Sequence, residues 1–265
     1  MGIVGEWLAR LDELFPPSWA EDWDNAGFQV GDRSAEVSKI MVALDPTSAV
    51  IDEAADARAQ LLITHHPLIF APLSTVDVSR AVDRAVAQAL RLGVAVIACH
   101  TNADVASPGV SDALAEALDI TVEGPLVPHA FLGASRDVGM GRVGELAAST
   151  QAVGVLELCR DRLGAHPRLI GERRADVKRI AVCGGAGASL IPDAVRGGAD
   201  IFITGDVKHH QALDARASGL QVIDAGHHAT ERPFVARLAD RLRQLEPSAD
   251  ILVSETRTDP FKEGW

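Results

Sequence analysis

Histidine and carboxylate gather at four short stretches of the sequence: THHP with His65 and His66, CHTNAD with His100 and Asp104, TGDVKHH with Asp206, Lys208, His209 and His210, and GHHATE with His227, His228 and Glu231. These side chains bind divalent metals, imidazole through nitrogen and carboxylate through oxygen. His100 and Asp104 lie four residues apart, as do His227 and Glu231. Each pair falls where a strand-like run gives way to a helix-like one, and that spacing puts both side chains on one face of the first helical turn. A single histidine on an apolar strand is ordinarily a core residue, but two adjacent ones point to opposite faces of a regular strand. At a strand's last residues both can be aimed past the sheet edge, and Pro67, which lacks an N–H and fixes φ, helps to end the strand there.

Two ions about 3.5–4 Å apart need a bridging group, and a carboxylate with two oxygens bridges where an imidazole cannot. The expected arrangement therefore has Glu231 as the bridge, Asp104 completing the ion held by His66, and His227 completing the ion held by His65. Imidazole with carboxylate suits Zn, Fe, Mn, Co or Ni, so ligand type leaves the metal open.

The elements that must position these residues read as alternating strands and helices. KIMVALD (39–45) is strand-like, TSAVIDEAADARA is a helix opened by a Thr or Ser cap, and LLITHH is a second strand. Residues 179–206 repeat this order, with Ile40 and Ile180, and Thr64 and Thr204, each 140 positions apart. The segments 93–118 and 219–242 then match as strand, polar turn and helix. The fold class expected is α/β, built from two related halves. Each half would be a mixed, mainly parallel sheet flanked by helices, with the metal site between them. Ligands of such sheets gather at the carboxyl ends of strands. The expected division is 1–125 and 126–265, with a C-terminal return to the first half allowed. The connecting segment 124–178 carries GMGRVGEL, a helix around TQAVGVLELCRDRLG and the strand-like PRLIGE.

Weaker signals have structural readings beside the functional ones. VCGGAGAS (182–189) lies between a strand and a helix, where its amides could cradle a phosphate, but no Gly-Lys-Ser/Thr follows; a tight turn is the simpler reading. Lys208 and His209 follow Asp206 at the strand end that matches the one carrying His65 and His66, and could serve a substrate phosphate or a proton transfer. Arg173, Arg174 and Lys178 read as a solvated connection. Trp23 and Asn25 belong to EDWDNAGFQVGD, whose Asn and Asp could lie at a pocket wall or only form a turn. The chain has no G-x-S-x-G elbow.

Composition limits the partners. The chain has 265 residues, 47% hydrophobic and 23% charged, with net charge −12, an ordinary globular profile that disfavours a nucleic-acid partner held by bulk electrostatics. The first residues, MGIVGEWLARLDELF, read as an amphipathic helix of a cytoplasmic protein rather than a secretory signal. Glu6 stands where a myristoylation motif needs Ser or Thr. No apolar run approaches the roughly 20 residues that span a bilayer. Cys99, Cys159 and Cys183 are never spaced C-x-x-C and read as reduced, buried thiols.

HHPLIF, HTNAD, GMGRVGEL, GADIFITGDVKHH, DAGHHATE and ETRTDPF, in that order, resemble the NIF3-like dinuclear metal-centre family, whose members are also called GTP cyclohydrolase I type 2 homologues. The resemblance runs from WDNAGFQVGD to the C-terminus. It implies two divalent ions held by His65, His66, Asp104, His227 and Glu231, a ring-shaped homo-oligomer, commonly a hexamer, and a GTP cyclohydrolase activity that attacks C8 of guanine and releases formate. His228 departs from the family, which often has an aromatic residue there; it could compete as a ligand or carry a proton. The short connection resembles the compact form of the family, without the inserted domain. The residues themselves imply only metal-activated water acting on a small molecule, with a nucleotide as one candidate. His100, His228, Lys208 and His209 are candidates for catalytic roles. A non-enzymatic metal-binding, metal-delivery or regulatory protein is the alternative.

Overall fold

Apolar runs bounded by caps and turns fold here as two α/β units. The computed structural model describes residues 2–129, 135–172 and 176–261; Arg173 and Arg174 lie outside them. Along the chain the elements are β1 (Gly2–Ile3), α1 (Val4–Leu14), β2 (Gly27–Val30), β3 (Glu36–Val37), β4 (Lys39–Ala43), α2 (Ser48–Asp56), β5 (Leu61–Thr64), α3 (Ala81–Leu92), β6 (Ala95–Ala98) and α4 (Thr101–Val105). There follow α5 (Val110–Ala117), β7 (Ile120–Pro128), β8 (Gly139–Thr150), α6 (Ala152–Leu163), β9 (Arg168–Ile170), β10 (Val177–Val182), α7 (Ile191–Arg196) and β11 (Ile201–Thr204). The last are α8 (His209–Ala217), β12 (Gln221–Asp224), α9 (His227–Leu245) and β13 (Asp250–Val253).

The first unit spans Met1–Ala103 and Val235–Trp265. Its five-stranded sheet has the order β13-β4-β5-β6-β2, parallel except for β2, which pairs antiparallel with β6. The amphipathic reading of the N-terminus holds: α1 buries Val4, Trp7 and Leu11 at helical spacing. Thr47 is the cap of α2, accepting from the Val50 amide, and α3 ends where Gly93 turns left-handed. Val50, Ile51, Ala54, Val86 and Ala89 of these two helices pack on Met41, Leu62 and Val96 of the sheet. Every residue of β5 is buried, as befits a central strand covered on both faces.

The second unit spans Asp104–Phe234. Its sheet has the order β7-β8-β10-β11-β12-β9. β10, β11 and β12 form a parallel core, while β7, β8 and β9 pair antiparallel. The mixed α/β class is as read from the sequence, but this sheet is mainly antiparallel by pairing, because the connecting segment supplies three of its strands. One core packs α5 and α6 on one group of strand residues, including Val177, Ile180 and Ile203; another joins Ala194 and Ala215 to Ala181, Phe202 and Val222.

GMGRVGEL forms the first part of β8, and its arginine acts as a latch. Arg142 is 1% exposed. It grips both oxygens of Asp112 at 2.8 and 2.7 Å and donates to the carbonyls of Gly139, Gly141 and Ala106. The planar fork of arginine suits such a bidentate contact.

A division near residue 125 falls inside β7, where Pro125 pairs with Arg142. The compact units divide after Ala103 and after Phe234 instead, and residues 235–265 belong to the first, since β13 pairs with β4. Among the described residues, no helix is long and apolar enough to cross a membrane.

Candidate metal centre

In the first unit, β5 stops at Thr64, yet the amides of His65 and His66 still reach the carbonyls of Ala43 and Leu44 at 3.3 and 3.0 Å. Pro67 has no N–H with which to continue the ladder. The Thr64 hydroxyl donates to the carbonyl of His66 at 2.7 Å and closes the turn. The two imidazoles therefore emerge together at the strand's end, their centroids 4.9 Å apart. His100, just beyond β6, brings a third ring to 5.3 Å from His65 and 5.6 Å from His66. One donor nitrogen from each lies within 4.8 Å of the other two, a grouping able to hold a metal ion.

Each of these imidazoles is oriented through Nδ1. His65 Nδ1 donates to the carbonyl of Cys99 at 2.8 Å, His66 Nδ1 to Asp45 Oδ1 at 2.7 Å, and His100 Nδ1 to Asp24 Oδ1 at 2.6 Å. With the proton fixed there, Nε2 carries the lone pair, the usual second-sphere arrangement of metal-ligating histidine. The Asp24 side chain is fully buried. Burial raises its pKa, but hydrogen bonds from His100 and Thr101 outweigh that and hold it at about 2. It is thus an ionised, obligate acceptor for His100. Asp45 also accepts from the Thr258 hydroxyl, which gives the ETRTDPF segment a place behind His66.

In the second unit, His227 and Glu231 share one face of the first turn of α9, as their spacing predicts, with Nε2 3.1 Å from Oε2. His227 Nδ1 donates to Asp206 Oδ2 at 2.8 Å. Asp206 adopts φ +55°, a left-handed conformation that carries strain outside glycine. Burial, then the charges of Asp104 and Glu231, push the Cys183 thiol upward, so both carboxylates lie within electrostatic reach of one sulfur. Burial likewise pushes Cys99 and Cys159 up to about 12. All three are buried free thiols, as expected.

The Gly-rich turn VCGGAGAS packs against His227 and Glu231. The Gly185 amide donates to Thr230 Oγ1 at 3.0 Å, and the Gly187 amide to Thr204 Oγ1 at 2.9 Å. These two amides are thus spent on threonine hydroxyls. A Cβ on Gly184 would come within 3.3 Å of Glu231 Cγ, and one on Gly205 within 2.6 Å of the His227 amide. Only glycine allows such close approach.

Lys208 precedes α8, and His209 and His210 open it, all exposed, with the two rings 5.4 Å apart. His228 is half-buried in the first turn of α9. Trp23 meets His100 edge-on, and Asn25 bonds the carbonyl of Ile69. Lys178 pairs with Glu145 at 2.6 Å on the surface. The sequence reading placed Asp206 among the gathered metal-binding residue types and the Asp of EDWDN at a possible pocket wall, but gave neither an imidazole partner, and it did not single out Asp45. For Asp45, an acid at the end of the apolar run KIMVALD was the available signal.

Imidazoles fixed through Nδ1, with carboxylates at strand ends and helix starts, suit a divalent cation of the first transition row. Fold and donor set together define an α/β protein with a candidate divalent-metal centre. Residues 3–260 match the Duf34/NIF3 (NGG1p interacting factor 3) family, and the chain belongs to it. It is 39% identical to a Streptomyces coelicolor protein named GTP cyclohydrolase 1 type 2 homolog, over 98% of this chain and 94% of that one. A crystal structure of a Staphylococcus aureus protein superposes with TM-score 0.91 at 28% identity, covering 98% of both chains. The alignment with a Bacillus subtilis GTP cyclohydrolase 1 type 2 homolog, 28% identical over 98% of each chain, extends over 369 positions. That length exceeds this chain's 265 residues, so the relative holds inserted sequence that this chain lacks.

Proposed function

We propose that the protein is a dinuclear, divalent-metal-dependent hydrolase of the GTP cyclohydrolase I type 2 kind, acting through activated water on a nucleotide or another phosphate-containing small molecule. His65, His66, Asp104, His227 and Glu231 would hold the ions, with the two oxygens of Glu231 available to both. The observation that carries this reading is the convergence of His65, His66 and His100, each with its proton held at Nδ1. The names of the relatives support the reaction class.

When bound, paired divalent ions lower the pKa of coordinated water and stabilise negative charge developing on the substrate. The chain's own residues do the rest. Asp24, Asp45 and Asp206 hold three imidazoles in the tautomer that presents Nε2. Glu231 offers two oxygens from a buried position, and Gly185, lacking a Cβ, leaves room for them. Lys208 and His209 supply donors suited to a substrate phosphate, and His228 supplies a group able to carry a proton.

The test is an assay of protein loaded with Mn, Zn or Fe against GTP and a set of phosphoesters, following formate and phosphate release. Turnover lost in Glu231→Ala supports the hydrolase. Stoichiometric metal binding without turnover on any substrate would favour a metal-delivery or regulatory protein instead.

A further inference from the structure

Two large aromatic side chains are left in solvent beside His100. Trp23 is 59% and Phe70 is 55% exposed, which forfeits the stabilisation that burying either ring would bring. Their centroids are 5.9 Å apart, and each meets the His100 ring edge-on, at 6.1 and 6.4 Å.

These rings are held where they are by polar bonds on either side. Trp23 is followed by Asp24, which accepts from His100, and by Asn25, whose side-chain amide donates to the carbonyl of Ile69, the neighbour of Phe70. Gln29, largely buried, completes the tie: its Oε1 accepts from the Ile69 amide at 3.1 Å, and its Nε2 donates to the carbonyl of Asn25 at 2.6 Å. The same short segment therefore fixes a metal-ligand candidate and both aromatic rings. A hydrogen-bonded frame that holds two apolar rings in water, next to an imidazole cluster, is built to receive something apolar and flat.

We propose that Trp23 and Phe70 form a stacking platform for a planar, conjugated ring of the substrate, of the nucleobase type, and so set specificity at the site. This rests on the hydrolase reading for the word substrate, but not for the binding itself. Aromatic side chains stack on flat heterocycles with little dependence on ring identity. The platform therefore selects a ring-bearing molecule over the same sugar phosphate without one.

The test measures binding by tryptophan fluorescence and calorimetry, with two probes, GTP and ribose 5-triphosphate, which differ by the base. Wild type should bind GTP more tightly. Trp23→Ala and Phe70→Ala should each weaken GTP by about tenfold or more, with ribose 5-triphosphate unchanged. Trp23→Phe, which keeps a ring, should retain most of the affinity. Equal affinity of wild type for the two probes, or GTP affinity unmoved by both alanine variants, overturns the proposal. A lower oligomeric state in Trp23→Ala with GTP affinity intact would assign the rings to a second copy of the chain and also overturn it. Metal content measured on the same samples reports separately on the metal reading.

Discussion

A Cβ added to Gly185 would stand 2.2 Å from Oε1 of Glu231, and the glycine itself sits at φ +64°. The atom it would meet is the far end of a flexible side chain, so the carboxylate moves rather than the backbone. Gly185→Ala should remain folded, losing about 1 kcal/mol to the left-handed conformation. It should bind metal more weakly, because the added methyl group displaces a carboxylate oxygen of Glu231. Thermal melting and metal titration measure the two effects; unchanged metal affinity would contradict this role for the turn.

Asp24 and Asp45 can only accept from the imidazoles they hold, whereas an asparagine can present its amide and reverse the donor. Asp24→Asn should let the His100 proton move to Nε2, and Asp45→Asn the same for His66. Asp45→Asn should lower metal affinity about ten- to a hundredfold, whereas Asp24→Asn, whose partner His100 is outside the proposed ligand set, should leave it largely unchanged. Competition with a chelator measures both. Equal affinity of Asp45→Asn and wild type would remove the orienting role.

Arg142 is a matter of stability alone. Removing it leaves Asp112 and three carbonyls without their donor in a buried setting, and breaking such a pair costs about 3–5 kcal/mol. Arg142→Ala should lower the urea midpoint accordingly. Arg142→Lys should recover only part, because an ammonium cannot reproduce the two-pronged contact.

Glu53 of α2 accepts from the hydroxyl of Ser254 and the amides of Glu255 and Thr256, just beyond β13. Burial raises its pKa, but the bonds from Ser254, Thr256 and Glu255 more than reverse this, leaving it below the ordinary 4.5. Because the folded value is the lower one, the stabilisation is complete above pH 4.5 and is lost as the pH falls through that lowered value. Amides 255 and 256 should lose hydrogen-exchange protection, relative to intrinsic rates, as acid is added. Glu53→Gln, which cannot titrate, should show no such step.

Much of this was legible because it is local. Helical periodicity marks α1 and α2, and the four-residue spacing of His227 and Glu231 needs only one turn of helix. The adjacency of His65 and His66, with Pro67 behind them, likewise announces a strand end. What was not legible depends on chain segments far apart in order. Asp24 reaches His100 across 76 residues, and Asp45 reaches His66 across 21. Gly185 meets a carboxylate on a different element, so the turn could be recognised but not its partner. Strand order was hidden for the same reason: the sequence allowed a C-terminal return, but nothing local in DILV says that it will lie beside KIMVA.

Anomalous diffraction from crystals of metal-loaded protein tests the central claim most directly. The account predicts two peaks about 3.5–4 Å apart, with His65 and His227 on one ion, His66 and Asp104 on the other, and Glu231 touching both. A single peak, no peak, or ions bound without Glu231 would contradict it.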